Sequence, residues 1–309
     1  MQRITLAVTT GFTVFAATTA LASDLGPLIT PAELSETSEN PILLDVRDVG
    51  YDAGHIEGAV TAPYSLFRGP SNNPGEVPPV EQLEATYEDL GLALDRPVVI
   101  VSQGDTDTDF GAAARVYWTL KSSGFTNLSV PNGGAIGWVN AGLPVSTDVV
   151  TPTPTDLSIM WNDAWTADTD QVDSVLAGEA GGKLIDARPT AFFEGNQAHP
   201  AASRPGTLPG AQSLPYTEFF RPGATAIGND TDVAALKAKL QIEEGDAVVS
   251  FCNTGHWAAT NWFAMSELAG IQDVKLYPGS MVEYSQTDGK MANQPGLIAN
   301  FLNQFTGGN

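Results

Sequence analysis

Cysteine is almost absent: a single one, Cys252, stands in 309 residues. This excludes an internal disulfide and a thiolate-rich metal site. Histidine is nearly as scarce, with His55, His199 and His256 too scattered to form a ligand cluster around one thiol. Basic residues are few, 14 Lys and Arg against 36 Asp and Glu, for a formal net charge of −22. That balance argues against nucleic acid and anionic membrane surfaces as partners. After the first 22 residues no run is long and apolar enough to span a bilayer. No motif calls for a metal or an organic cofactor.

The one long uncharged run is at the start. Arg3 precedes the 19 uncharged residues Ile4 to Ala22, which end in small residues before Ser23. This pattern predicts a secretory signal peptide over residues 1–22, and hence a periplasmic or secreted protein with no membrane contact once the signal is removed. A retained anchor is the alternative; the threonines in the run and the Ala20–Ala22 ending favour cleavage. In an oxidising compartment a thiol with no partner stays available for chemistry.

The stretch around that thiol is the most informative in the chain. Val248–Phe251 is a short apolar run that predicts a buried strand, and Ala258–Gly270 predicts a helix turning Ala259, Trp262, Phe263 and Met265 inward. Cys252 lies between them, followed by Asn253, Thr254, Gly255, His256 and Trp257 up to Ala258. Backbone N–H groups of such a loop and the positive helix end would stabilise a thiolate or a sulfur anion attached to it. The competing reading is a small buried hydrophobe.

The chain is also an internal duplication. Leu43–Arg47 (LLDVR) is answered by Leu184–Arg188 (LIDAR), and Gly54–Tyr64 by Gly206–Tyr216. Val98 and Val99 are answered by Val248 and Val249, and Gly124 and Gly133 by Gly270 and Gly279. Matched segments in one order are the signature of a repeat. The offset falls from 150 at Val98 to 146 at Gly124, so the loop after the central strand is four residues longer in the first half. Ser102 stands there in place of Cys252. Short apolar strands alternating with helices predict an α/β fold, a mainly parallel sheet flanked by helices in each unit, with the ligand site at the strand ends. The units are expected at residues 23–145 and 161–309, joined by a Thr- and Pro-rich linker over residues 146–160.

These motifs resemble the tandem rhodanese family of thiosulfate and 3-mercaptopyruvate sulfurtransferases, in an exported form. The resemblance rests on Leu44–Arg47, Gly54–Ala59, Asp186–Arg188, Gly206–Ala211 and Phe251–Gly255, and covers Ile29 to Gln304. It implies a silent first domain, a catalytic second one, and a persulfide on Cys252 that carries sulfur from a donor (thiosulfate, 3-mercaptopyruvate or polysulfide) to a thiophilic acceptor such as cyanide or a small-molecule or protein thiol. It also implies that Asp186 helps to order the active-site region, with Arg188 a supporting residue beside it; a structural salt bridge is the alternative for the pair. Where family members carry basic residues after the cysteine, this chain has Asn253 and Thr254; where they carry an arginine for a substrate carboxylate, it has Phe192 and Phe193. Arg204 is the nearest substitute, Arg221 a weaker one, and inefficient turnover of thiosulfate is expected. His256 is expected either to meet an anion or to be held by local backbone, and Trp257 either to wall the pocket or to pack under the loop.

A phosphatase would need an arginine six residues after the cysteine, where Ala258 stands. The carboxylates Asp105, Asp107 and Asp109 lack the Glu that a calcium loop places at its twelfth position, here Val116, and are expected to form a solvated loop. No spacing picks out the His and Asn of a cysteine protease. The alternative of a different class is a non-catalytic carrier that holds a Cys252 persulfide for a partner.

Overall fold

A computed structural model describes residues 25–228 and 232–295; the expected signal over residues 1–22 lies outside them. The first unit runs β1 (Leu28–Ile29), α1 (Pro31–Glu36), β2 (Ile42–Asp45), β3 (Val60–Thr61), α2 (Val80–Asp89), β4 (Val98–Val101), α3 (Phe110–Ser122), β5 (Leu128–Pro131) and α4 (Gly134–Asn140). The second runs α5 (Thr169–Ala177), β6 (Lys183–Asp186), α6 (Thr190–Phe193), β7 (Gln212–Ser213), α7 (Val233–Lys239), β8 (Val248–Phe251), α8 (Trp257–Phe263), β9 (Val274–Leu276) and α9 (Ser280–Tyr284). Helix starts follow local chemistry. Thr30 closes a capping box with Glu33 ahead of Pro31, and the Asp168 and Asp232 carboxylates cap α5 and α7.

Both sheets are parallel, in the orders β1-β5-β4-β2-β3 and β7-β6-β8-β9. Their central strands are buried along their length, as parallel strands covered on both faces are. The duplication is visible in register: Asp45 pairs with Val101 across β2 and β4, and Asp186 with Phe251 across β6 and β8. Among the described residues the second sheet has no full counterpart of β1, but a parallel bridge from Thr166 to Leu276 occupies its place.

The equivalent helices α3 and α8 pack against each other and join the two units. Phe110 and Tyr117 meet the Phe263 ring edge-on, with centroids 5.3 and 5.0 Å apart. At the far end, Lys121 Nζ and the Tyr117 hydroxyl both donate to Glu267, at 2.8 and 2.9 Å. The expected helix after Cys252 begins as an α-helix and finishes in π geometry over Ala264–Leu268, ahead of Gly270. Ala259, Trp262, Phe263 and Met265 are all buried, as their spacing predicts. No helix among the described residues is long and apolar enough to cross a membrane.

Candidate active site

Each sheet ends in the same frame. In the second unit Arg188 lies along Asp186, with Nε 2.9 Å from Oδ1 and Nη2 2.7 Å from Oδ2, and Nη2 also donates to the Gly206 carbonyl. In the first, Arg47 pairs with Asp45 and donates to the Gly54 carbonyl. The Thr207 hydroxyl adds a bond to Asp186 at 2.7 Å. The second-unit pair is buried, with side chains 2% and 0% exposed, so its charges are compensated by these bonds. Arg188 is also joined to the loop after β8, since its Nη1 donates to Asn253 Oδ1 at 3.3 Å. The pair is a buried salt bridge, and the bond from it to the loop comes from Arg188 rather than from Asp186.

Cys252 follows the last residue of β8 as Ser102 follows the last residue of β4. The carbonyls of both accept from the matching turns, Met281 N–H to Cys252 and Ala135 N–H to Ser102. Cys252 is a free thiol and buried. The loop is held from beneath by Ser280, a residue that sequence reasoning missed. Its Oγ accepts the N–H groups of Cys252 and Gly255 at 3.0 and 3.2 Å and donates to the Tyr277 carbonyl at 2.7 Å. Ser280 adopts φ +52°, a left-handed conformation costly for a side-chain-bearing residue, so the surrounding bonds must hold it. Gly134 occupies the matching position at φ +59°. The expected ring of N–H donors is thus narrower than Asn253 to Ala258. Gly255 is spent on Ser280, whereas Asn253, Thr254, His256, Trp257 and Ala258 donate to no protein acceptor among the described residues.

The first unit holds the rest of the loop. His256 Nε2 lies 2.9 Å from the Thr108 carbonyl, which can only accept, so Nε2 carries the proton. Nδ1 then accepts from the Tyr64 hydroxyl at 3.1 Å, and that hydroxyl accepts from Arg68 Nη1 at 2.9 Å. Burial, then the charge of Arg68, pushes the His256 pKa down to about 4. Neutral at neutral pH and bonded at both nitrogens, His256 is a bridge between the units. Trp257 donates its indole N–H to Thr108 Oγ1 at 2.7 Å, stacks on Tyr216 at 5.3 Å, and meets Phe192 edge-on. The Tyr216 hydroxyl in turn reaches Asp107. The acidic loop is exposed to solvent at Asp105 and Thr106, as expected, and is also a clamp: Asp109 accepts the N–H groups of Asp105 and Thr106, and the adjacent Thr108 grips the loop after Cys252.

Arg204 differs from its expectation. Its guanidinium donates to the carbonyls of Ser285, Thr287 and Gly289 at 2.7–3.0 Å, which ties down the chain after α9. With its donors bonded to backbone, it belongs to the frame rather than to a carboxylate grip. His199 accepts the Ala201 N–H, and burial and Arg68 lower its pKa. His55 is buried in the first unit, stacked on Tyr51 at 3.8 Å with its ring nitrogens against the carbonyls of Tyr51 and Asp148.

Two cations that the sequence did not point to come from the first unit. Arg115 on α3 is fully buried, and a side chain added at Gly255 would come within 2.3 Å of its Nη1. Arg68 lies with its guanidinium 5.0 Å from the centre of the Tyr64 ring. Cys252 acts electrostatically on both Arg115 and Tyr64. The one available signal was Arg115 itself, the sole charge in the otherwise uncharged stretch from Phe110 to Leu120. Among the described residues no group of three or more His, Cys, Asp or Glu could hold a metal.

Comparison with known proteins agrees with this architecture. A family model described as rhodanese-like domain matches residues 30–141 and again residues 169–287. SseB of Mycobacterium tuberculosis, which carries the name of a thiosulfate sulfurtransferase, is 29% identical over 275 residues, 84% of this chain and 93% of its own. The sulfur carrier protein TtuD of Thermus thermophilus is 28% identical over 249 residues, 77% of this chain and 85% of its own. Among solved structures, the 3-mercaptopyruvate sulfotransferase SseA of Escherichia coli superposes with a TM-score of 0.71 at 23% identity, covering 83% of this chain and 99% of its own. That last likeness is one of fold.

Proposed function

We propose, for a chain that belongs to the rhodanese-like family and carries two tandem copies of its domain, that it is a sulfurtransferase working through a persulfide on Cys252. The observation that carries this reading is the placement of Cys252 at the end of β8, in a loop whose N–H groups at Asn253, Thr254, His256, Trp257 and Ala258 are unspent on protein acceptors among the described residues. The first unit, with Ser102 at the matching place, is silent.

In the first half-reaction the Cys252 thiolate attacks the outer sulfur of thiosulfate. The sulfur–sulfur bond breaks, its electron pair leaves with sulfite, and Cys252 holds a persulfide anion. With 3-mercaptopyruvate the carbon–sulfur bond breaks instead, and the leaving pyruvate enolate takes a proton. In the second half-reaction a thiophilic acceptor such as cyanide attacks the terminal sulfur, leaves as thiocyanate, and returns the thiolate. Preorganised N–H donors stabilise the terminal sulfur anion between the two halves, as an oxyanion hole stabilises oxygen. Asp186, Arg188 and Ser280 do not touch the reacting atoms; they fix the loop that does. The N-terminal stretch supports a further part of the reading, that this chemistry takes place outside the cytoplasm.

The test is turnover with thiosulfate, 3-mercaptopyruvate and polysulfide, each with cyanide or a thiol, measured as thiocyanate or sulfide. Activity with at least one donor that disappears in Cys252→Ser is expected. A wild-type protein inactive with every donor contradicts the enzyme reading, and a persulfide that forms without turnover would make the protein a carrier.

A further inference from the structure

Taking the persulfide reading of Cys252 as its basis, we propose that the silent unit supplies the anion recognition of the catalytic one. Arg115 and Arg68 hold the oxyanion group of a small sulfur donor beside Cys252.

Two arginines of the second unit are already spent, Arg188 on Asp186, Gly206 and Asn253, and Arg204, the nearest expected substitute, on three carbonyls. The two first-unit arginines are not. Arg115 is 0% exposed, and Nη2 makes its one bond, to the Gly75 carbonyl at 2.8 Å. Its Nε and Nη1 are buried with no hydrogen-bond partner, while Nη1 faces Gly255 of the active loop. A buried guanidinium with unpaired donors is among the costlier arrangements a protein can keep. The Trp118 ring, 4.9 Å from its centre, compensates only in part. Arg68 is half-buried and donates Nη1 to the Tyr64 hydroxyl.

Neither arginine makes an ion pair among the described residues, in a chain with 36 carboxylates to 14 basic residues. Arg115 lies against Gly255 of the loop that follows Cys252, and Arg68 reaches the same loop through Tyr64, whose hydroxyl bonds His256. Burial first, and then the charge of Arg68, brings the pKa of Arg115 down to about 9. A bound anion offsets that charge and satisfies the unpaired donors together. Guanidinium forks match the geometry of an oxyanion. The thiosulfonate of thiosulfate and the carboxylate of 3-mercaptopyruvate share that chemistry. Substrate recognition thus spans both units, and Ser102 marks a unit that lost its nucleophile and kept its charge.

The test uses the full chain carrying Cys252→Ser, which cannot turn over. Thiosulfate and 3-mercaptopyruvate are titrated into it separately by calorimetry, then into the same protein with Arg115→Met or Arg68→Gln. Binding of one of the two donors is expected, with affinity falling on the order of ten- to a hundredfold in each arginine variant. Arg115→Lys, which keeps the charge and loses the fork, is expected to fall between. Equal affinity in folded variants, or no binding of either donor to the parent, overturns the proposal; should Arg115→Met not fold, the half-buried Arg68→Gln gives the answer. With Cys252 intact, equal rates of persulfide formation in parent and arginine variants would sink the proposal and leave the persulfide reading standing. No persulfide from any donor would sink that reading itself.

Discussion

Thr108 of the first unit bonds His256 of the Cys252 loop through its carbonyl, at 2.9 Å, and takes the neighbouring Trp257 indole N–H on its hydroxyl at 2.7 Å. One residue of the first unit therefore fixes two consecutive residues of the second. Thr108 lies on the loop that is four residues longer than its counterpart. The lengthening of the Ser102 loop and the support of the Cys252 loop are thus the same feature.

Thr108→Val removes the hydroxyl and keeps the carbonyl. It is expected to cost about 1 kcal/mol in chemical denaturation, the worth of one lost hydrogen bond, and to loosen Trp257 while leaving His256 bonded. A red shift in Trp emission and a raised KM check the second part. Emission and KM equal to wild type would mean that the clamp is not felt at the site.

The bridge through His256 is pH-dependent in a defined direction. Its pKa is about 4 in the folded protein against a usual 6.5, so the unfolded chain takes up the proton first. The stabilisation is full above pH 6.5 and is lost as pH falls from 6.5 through 4. Protonation would also place a charge beside Arg68 and end acceptance from Tyr64. Denaturation midpoints across that window should fall more steeply in wild type than in His256→Gln; parallel curves would contradict the assignment.

Ser280 combines a strained backbone with an acceptor for two loop N–H groups. Ser280→Ala keeps the strain and loses the acceptor, for an expected cost of about 1–3 kcal/mol. Ser280→Gly loses the acceptor and relieves the strain, so it should be the less damaging of the two. Both should slow persulfide formation. Equal stability of the alanine and wild-type proteins would show that the Oγ bonds carry no weight.

Arg204 and Arg188 should separate from Arg115 and Arg68 in their effects. Arg204→Met, which releases three carbonyls, is expected to lower stability by about 2 kcal/mol without changing donor affinity in the folded protein. Arg188→Met strands Asp186 in the interior and should cost about 3–5 kcal/mol. A tenfold loss of donor affinity in a well-folded Arg204→Met would return that residue to the binding site.

Much of the fold was legible because the strands are short apolar runs. Val248–Phe251 forms a strand with the bounds its composition suggests, and its duplicate begins at Val98 as the repeat implies. Cys252 was legible for a different reason, since the duplicate with Ser102 served as a comparison within one chain. The cations were not. Arg115 reaches the loop because α3 packs on α8, and Arg68 because Tyr64 bonds His256, contacts between units that no local pattern encodes. The role of Thr108 was hidden by its acidic neighbours, which read as a solvated loop. Arg204 looked suitable by position, and only the hydrogen bonds show that its donors are taken.

The most direct measurement is the intact mass of the purified protein after incubation with each donor in the absence of an acceptor. Wild-type protein should gain the mass of one sulfur atom on the peptide containing Cys252 and lose it when cyanide is added, with Cys252→Ser showing no gain. An unchanged mass with thiosulfate, 3-mercaptopyruvate and polysulfide alike, or a gain that persists in Cys252→Ser, would contradict sulfur transfer through this thiol.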